Sequence, residues 1–106
     1  MAIIRSRNGV PLRLTKERWG HIALRHPEMR TQKVRVIETV TEPDRVLEGD
    51  EGCLMATRLY SRTPLTRKYL VVVYREVQEG DGFIVTAYLA RRLSQTRRTL
   101  WKRSGF

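Results

Sequence analysis

Four side chains have the types and spacing for proton transfer and anion contact: Thr86 and Tyr88 near the end of the chain, and His21 and His26 near its start. Thr86 and Tyr88 fall in an alternating run that reads as a strand, with Ile84, Thr86, Tyr88 and Ala90 on one face and Phe83, Val85, Ala87 and Leu89 on the other. The second set is wholly apolar and is expected to face the core, which leaves a hydroxyl and a phenol side by side on the opposite face. Thr and Tyr are also good strand formers, so the pair gains chemical meaning only with partners. Cleaving a ribonucleotide phosphodiester without a metal needs a base for the 2′-OH proton, an acid for the departing 5′-oxygen, and cations or hydroxyls for the phosphorane charge. An imidazole, titrating near ~6.5 when free, suits either proton-transfer role.

The histidines belong to the first clear helix. Thr15 is its expected N-cap, and Pro27 disfavours helical geometry in the residue before it, so the helix should stop near His26. Trp19, Ile22, Ala23 and His26 share one face, and Arg18, His21 and Arg25 share another. On that cationic face the arginines one turn away favour a neutral His21 imidazole, the form a base requires. His26 lies beside Trp19 at the His26-Pro27-Glu28 helix end, where a packed, hydrogen-bonded ring competes with a catalytic one.

The rest of the chain supplies the elements that must position these groups. Thr31 to about Thr41 reads as a second helix with Val34, Ile37 and Val40 as its apolar stripe, ended by Pro43. Short β-type runs follow at Arg45 to Glu48, Cys53 to Tyr60, Arg67 to Val77 and Phe83 to Leu89. Tyr69 to Tyr74 is apolar on both faces, as befits a central strand, and the connections between runs are short enough to favour antiparallel pairing. Ala2 to Arg7 suits a short edge strand before an Asn8-Gly9 turn, and the segment after Arg92 an exposed loop or short helix ending in Trp101-Lys102-Arg103. The expected fold is therefore α+β: two N-terminal helices packed on a four-stranded antiparallel sheet. It forms a single domain over residues 1–106, with a core at about 13–92 and a basic C-terminal segment at 93–106.

Charge narrows the partner. The chain carries 21 Lys and Arg against 11 Asp and Glu, a net charge of +10, and such a field draws polyanions. Most of the positive charge is arginine, whose planar fork grips phosphate oxygens in pairs. Every acidic residue precedes Phe83, whereas Arg91, Arg92, Arg97, Arg98, Lys102 and Arg103 follow it unopposed. A lone Cys53 rules out an internal disulfide and a thiolate zinc cage. No compact Asp/Glu cluster, P-loop or dinucleotide fingerprint is present, so neither a metal nor a cofactor is expected. With no apolar run of membrane-spanning length and no secretory leader, the expected location is cytoplasmic, without a membrane partner.

The run Leu14-Thr15-x-Glu17-Arg18-Trp19-x-His21-Ile22-x-x-x-His26-Pro27-Glu28, then Pro43-Asp44, Tyr69-x-Val71-Val72-Val73-Tyr74, Phe83-Ile84-Val85-Thr86-Ala87-Tyr88-Leu89 and Leu100-Trp101-Lys102-Arg103, resembles small bacterial and phage proteins of the barnase–EndoU–colicin–RelE superfamily. These are metal-independent ribonucleases. The resemblance spans about Arg13 to Arg103 and implies helices followed by a four-stranded antiparallel sheet. It further implies a cleft lined by His21 or His26, by Thr86 and by Tyr88, with phosphate contacts from Arg58, Lys68 or Arg75. Arg18 and Arg25 on the helix, and Arg91 and Arg92 after the last strand, complete the candidate nucleic-acid contacts. The expected function is a toxin-like or phage-derived RNA endonuclease acting by 2′-OH attack on the phosphodiester. The alternative is a non-catalytic basic nucleic-acid-binding module on the same scaffold. An acidic protein, such as a cognate inhibitor, is a compatible partner of the nuclease.

Overall fold

The computed structural model describes residues 3–106. Ala2, where the expected first strand begins, lies outside them. The described elements run β1 (Ile4–Arg5), β2 (Pro11–Arg13), α1 (Lys16–Arg25), a 3-10 turn (Pro27–Met29), α2 (Lys33–Thr41), β3 (Arg45–Glu48), β4 (Leu54–Tyr60), β5 (Lys68–Gln78), β6 (Asp81–Ala90) and β7 (Thr99–Lys102).

Helix α1 starts and stops as its sequence dictates. The Thr15 hydroxyl accepts a hydrogen bond from the Arg18 amide at 3.0 Å, and the chain leaves helical geometry at His26, before Pro27. In α2 the expected apolar stripe is rotated. Val36, Thr39 and Val40 are buried, while Val34 is 79% exposed. The helix therefore docks through positions 36, 39 and 40, one side of the wheel, and Val34 is left on the solvent flank. No helix among the described residues is long and apolar enough to cross a membrane.

The sheet differs from the expected four antiparallel strands. Among the described residues it has seven strands, in the order β1-β2-β6-β5-β4-β3-β7, and it is mixed, because β2 pairs parallel to β6. The four expected strands are its antiparallel centre, with β5 in the middle. β1 and β2 are too short to show a period of two. The parallel contact of β2 with β6 works because Leu12 sits opposite Gly82, where a Cβ would come within 2.7 Å of the Leu12 side chain and 2.6 Å of the Arg75 carbonyl oxygen. β7 hides in an arginine-rich stretch. It pairs with β3, and the nearly buried Asp44 carboxylate fixes its end by accepting 2.8 Å and 3.1 Å hydrogen bonds from Arg103 and the Leu59 amide. The sheet curls enough for Arg7, just beyond β1, to stack over Trp101 of β7 at 4.0 Å.

One core lies between the helices and the sheet, where Ile22, Met29, Val36 and Val40 meet Ala56, Leu70, Val72, Tyr74, Ile84 and Ala87. A smaller cluster on the other face gathers Leu47, Met55 and Val71 with Val73, Tyr88, Ala90 and Leu93. Val10 and Leu12 are buried and Leu93 packs on the second cluster, so the packed region extends beyond residues 13–92 on both sides. A bulge corrects the face assignment of β6. Val73 pairs with Thr86 but Tyr74 with Ile84, so Val85 has no opposite residue. The extra residue reverses the alternation before it: Ile84 joins the helix-side core, while Thr86, Tyr88 and Ala90 keep the opposite face.

Candidate functional site

β6 has β5 on one side and β2 on the other, but β2 covers only Gly82 and Phe83. From Ile84 onward that edge carries no strand among the described residues, and the end of α1 packs there instead. His26 is fixed by its backbone on both sides. Its amide donates to the Ile22 carbonyl at 2.8 Å, and its carbonyl accepts from the Met29 amide at 2.9 Å. The ring reaches the edge of β6 and lies 5.7 Å from the Tyr88 ring, centre to centre, with 36° between planes. Its Nδ1 is 3.8 Å from a Glu28 carboxylate oxygen, ion-pair range but too long for a hydrogen bond.

Tyr88 is half-buried beneath the loop that follows β6. Burial pushes its hydroxyl above the usual tyrosine value; the charge of Arg97 opposes this and that of Asp50 adds to it. The phenol therefore keeps its proton at neutral pH and is available as a donor. Thr86 sits two residues earlier on the same face, opposite Val73. Arg97 folds back over this region and grips Asp50 with both arms, Nη1 to Oδ1 at 3.0 Å and Nη2 to Oδ2 at 3.2 Å. That hydrogen bond, with the charge behind it, holds the exposed Asp50 below the usual carboxylate range.

His26 thus meets Tyr88, Thr86 lies two residues along the same strand face, and His21 does not join them. His21 is exposed with Thr15, Glu17 and Arg18 around a shallow pocket on α1. The body of α1 lies on the opposite face of the sheet from Thr86 and Tyr88, and only its C-terminal cap comes round the edge. Arg58 is also on the helix side, donating to the Glu42 carbonyl at 2.9 Å, and Lys68, opposite Tyr60, shares that face. Arg75 alone of the three expected strand cations shares the face of Thr86. Arg18 and Arg25 are exposed along α1, and Arg91 and Arg92 are exposed just beyond β6. Glu28, Asp50 and Arg97 are the site neighbours that sequence reasoning missed. Glu28 was visible two residues after His26, whereas Asp50 and Arg97 are 47 residues apart and only the folded loop joins them.

Among the described residues no three His, Cys, Asp or Glu side chains gather where they could hold a metal ion. Comparison with protein-family models, with curated proteins and with solved structures finds no match.

Proposed function

We propose that this chain is a metal-independent RNA endonuclease in which His26 is the proton-transfer group and Tyr88 and Thr86 contact the scissile phosphate. The observation that carries this is the meeting of His26 with Tyr88, an imidazole beside a protonated phenol on the edge of a rigid strand. In the proposed reaction the 2′-oxygen attacks phosphorus as His26 takes its proton. The P–O5′ bond breaks, and the 5′-oxygen leaves with a proton from solvent or from the imidazolium. The products are a 2′,3′-cyclic phosphate and a 5′-hydroxyl. The Tyr88 and Thr86 hydroxyls donate to phosphorane oxygens, where charge grows in the transition state. The net charge of +10 supports a polyanionic substrate, and RNA is the one that offers a 2′-hydroxyl.

A non-catalytic RNA-binding module is the alternative, favoured by one observation: the cationic residues of α1 and the Thr86 and Tyr88 hydroxyls lie on opposite faces of the sheet. Incubating the protein with RNA in EDTA separates the two. Cleavage to cyclic-phosphate ends supports the enzyme; retention of intact RNA in a salt-sensitive complex supports the module.

A further inference from the structure

We propose that Arg97 is the phosphate seat of this site, and that in the free protein the seat is filled by the Asp50 carboxylate, which a backbone phosphate of the substrate displaces. The identity of the ligand rests on the ribonuclease proposal; the exchange rests on the geometry of the pair. A carboxylate and a phosphodiester each carry one negative charge and offer two oxygens to the arginine fork, so the bidentate grip on Asp50 is one that a phosphate can copy.

Three features make the exchange feasible. Asp50 is 82% exposed and Arg97 30%, so the pair lies at the surface, where such contacts are weak and the carboxylate can turn into water. The guanidinium, by contrast, is held independently of Asp50. Its Nη1 also donates to the Glu48 carbonyl at 3.3 Å, and the Ser94 hydroxyl accepts from the Arg97 amide at 3.2 Å, which fixes the loop that carries it. Arg75 then adds a second cation beside the same turn. A Cβ on Gly52 would lie 3.6 Å from the Arg75 guanidinium, so Arg75 and Arg97 both approach the Asp50-Glu51-Gly52 turn, and the charges of Arg97 and Asp50 are felt at the Tyr88 hydroxyl. Two arginines at one turn, one of them holding an exposed carboxylate, form an anion site with a built-in competitor.

The test is binding of an RNA oligonucleotide with 2′-deoxy substitutions, which cannot be cleaved, followed by fluorescence anisotropy in EDTA. Removing the competitor with D50N should tighten binding about two- to five-fold, the range expected for release of one exposed ion pair. E51Q removes the same charge from the same turn without freeing Arg97, and should leave affinity near wild type. R97Q should weaken binding and abolish the D50N gain in the double variant, while R97K, which keeps the charge but loses the fork, should fall between R97Q and wild type. Unchanged thermal unfolding of each variant shows that the loop is intact. Equal gains for D50N and E51Q, weaker binding by D50N, or a D50N gain that persists in R97Q would overturn the exchange while leaving the ribonuclease proposal standing. No binding by the wild-type protein would overturn both.

Discussion

The rings of His26 and Tyr88 meet at 5.7 Å although one residue caps a helix on the covered face of the sheet and the other projects from the opposite face. This is possible because β2 pairs with β6 only as far as Phe83 and, among the described residues, no strand continues along that edge. A helix cap can come round that edge; a residue in the middle of α1 cannot. In the proposed reaction it is therefore His26, not His21, that takes the proton-transfer role.

Replacing His26 by Ala should lower RNA cleavage by about 10²- to 10⁴-fold, the usual contribution of a general acid–base group, with RNA affinity within a few-fold of wild type. His21→Ala should cleave like the wild type. The reverse order of the two variants in a single-turnover assay would move the role to His21.

Tyr88→Phe should separate stability from activity. Among the described residues the Tyr88 hydroxyl makes no protein hydrogen bond, so its loss should change the urea-unfolding free energy by less than about 0.5 kcal/mol while cleavage falls. A loss of several kcal/mol would mean that the hydroxyl is a structural tie.

Much of the scaffold was legible. Thr15 and Pro27 bound α1, the run Tyr69 to Tyr74 marks the central strand, and Arg45 to Glu48 is strand β3. What was not legible depended on contacts distant in sequence. β7 is a strand because β3 offers an edge and Asp44 holds Arg103, and nothing in Thr99-Leu100-Trp101-Lys102 announces either. The Val85 bulge has no glycine to signal it, so strict alternation placed Ile84 on the wrong face. The helix wheel favoured His21 because it sees which side of a helix is cationic, and not which end of it reaches the neighbouring strand.

Gly82→Ala should destabilise the fold by about 1–3 kcal/mol, the usual cost of forcing a methyl into a packed interior. The added Cβ would meet the Arg75 carbonyl oxygen at 2.6 Å and the Leu12 side chain at 2.7 Å, loosening the β2 contact. Urea denaturation measures it, and an unchanged midpoint would contradict the parallel pairing of β2 with β6.

Alkaline pH should destabilise the protein through Tyr60. Burial pushes this hydroxyl up to about 12; the Thr39 hydrogen bond opposes the rise and Glu38 adds to it. In the unfolded chain tyrosine ionises near ~10, so above that pH the unfolded state binds fewer protons than the native state and stability falls as pH rises. The contribution is complete below ~10 and is lost as pH climbs through the native value. The fall in urea midpoint between about pH 9 and pH 11 should be shallower in Tyr60→Phe than in wild type; equal slopes would show that Tyr60 is not the group responsible.

The most direct measurement is end-group analysis of RNA incubated in EDTA with the purified wild-type protein and, in parallel, with His26→Ala. The proposed mechanism predicts fragments bearing 2′,3′-cyclic phosphate and 5′-hydroxyl ends from the wild type, and almost none from the variant. Intact RNA after incubation with the wild type, or equal cleavage by both proteins, would contradict it.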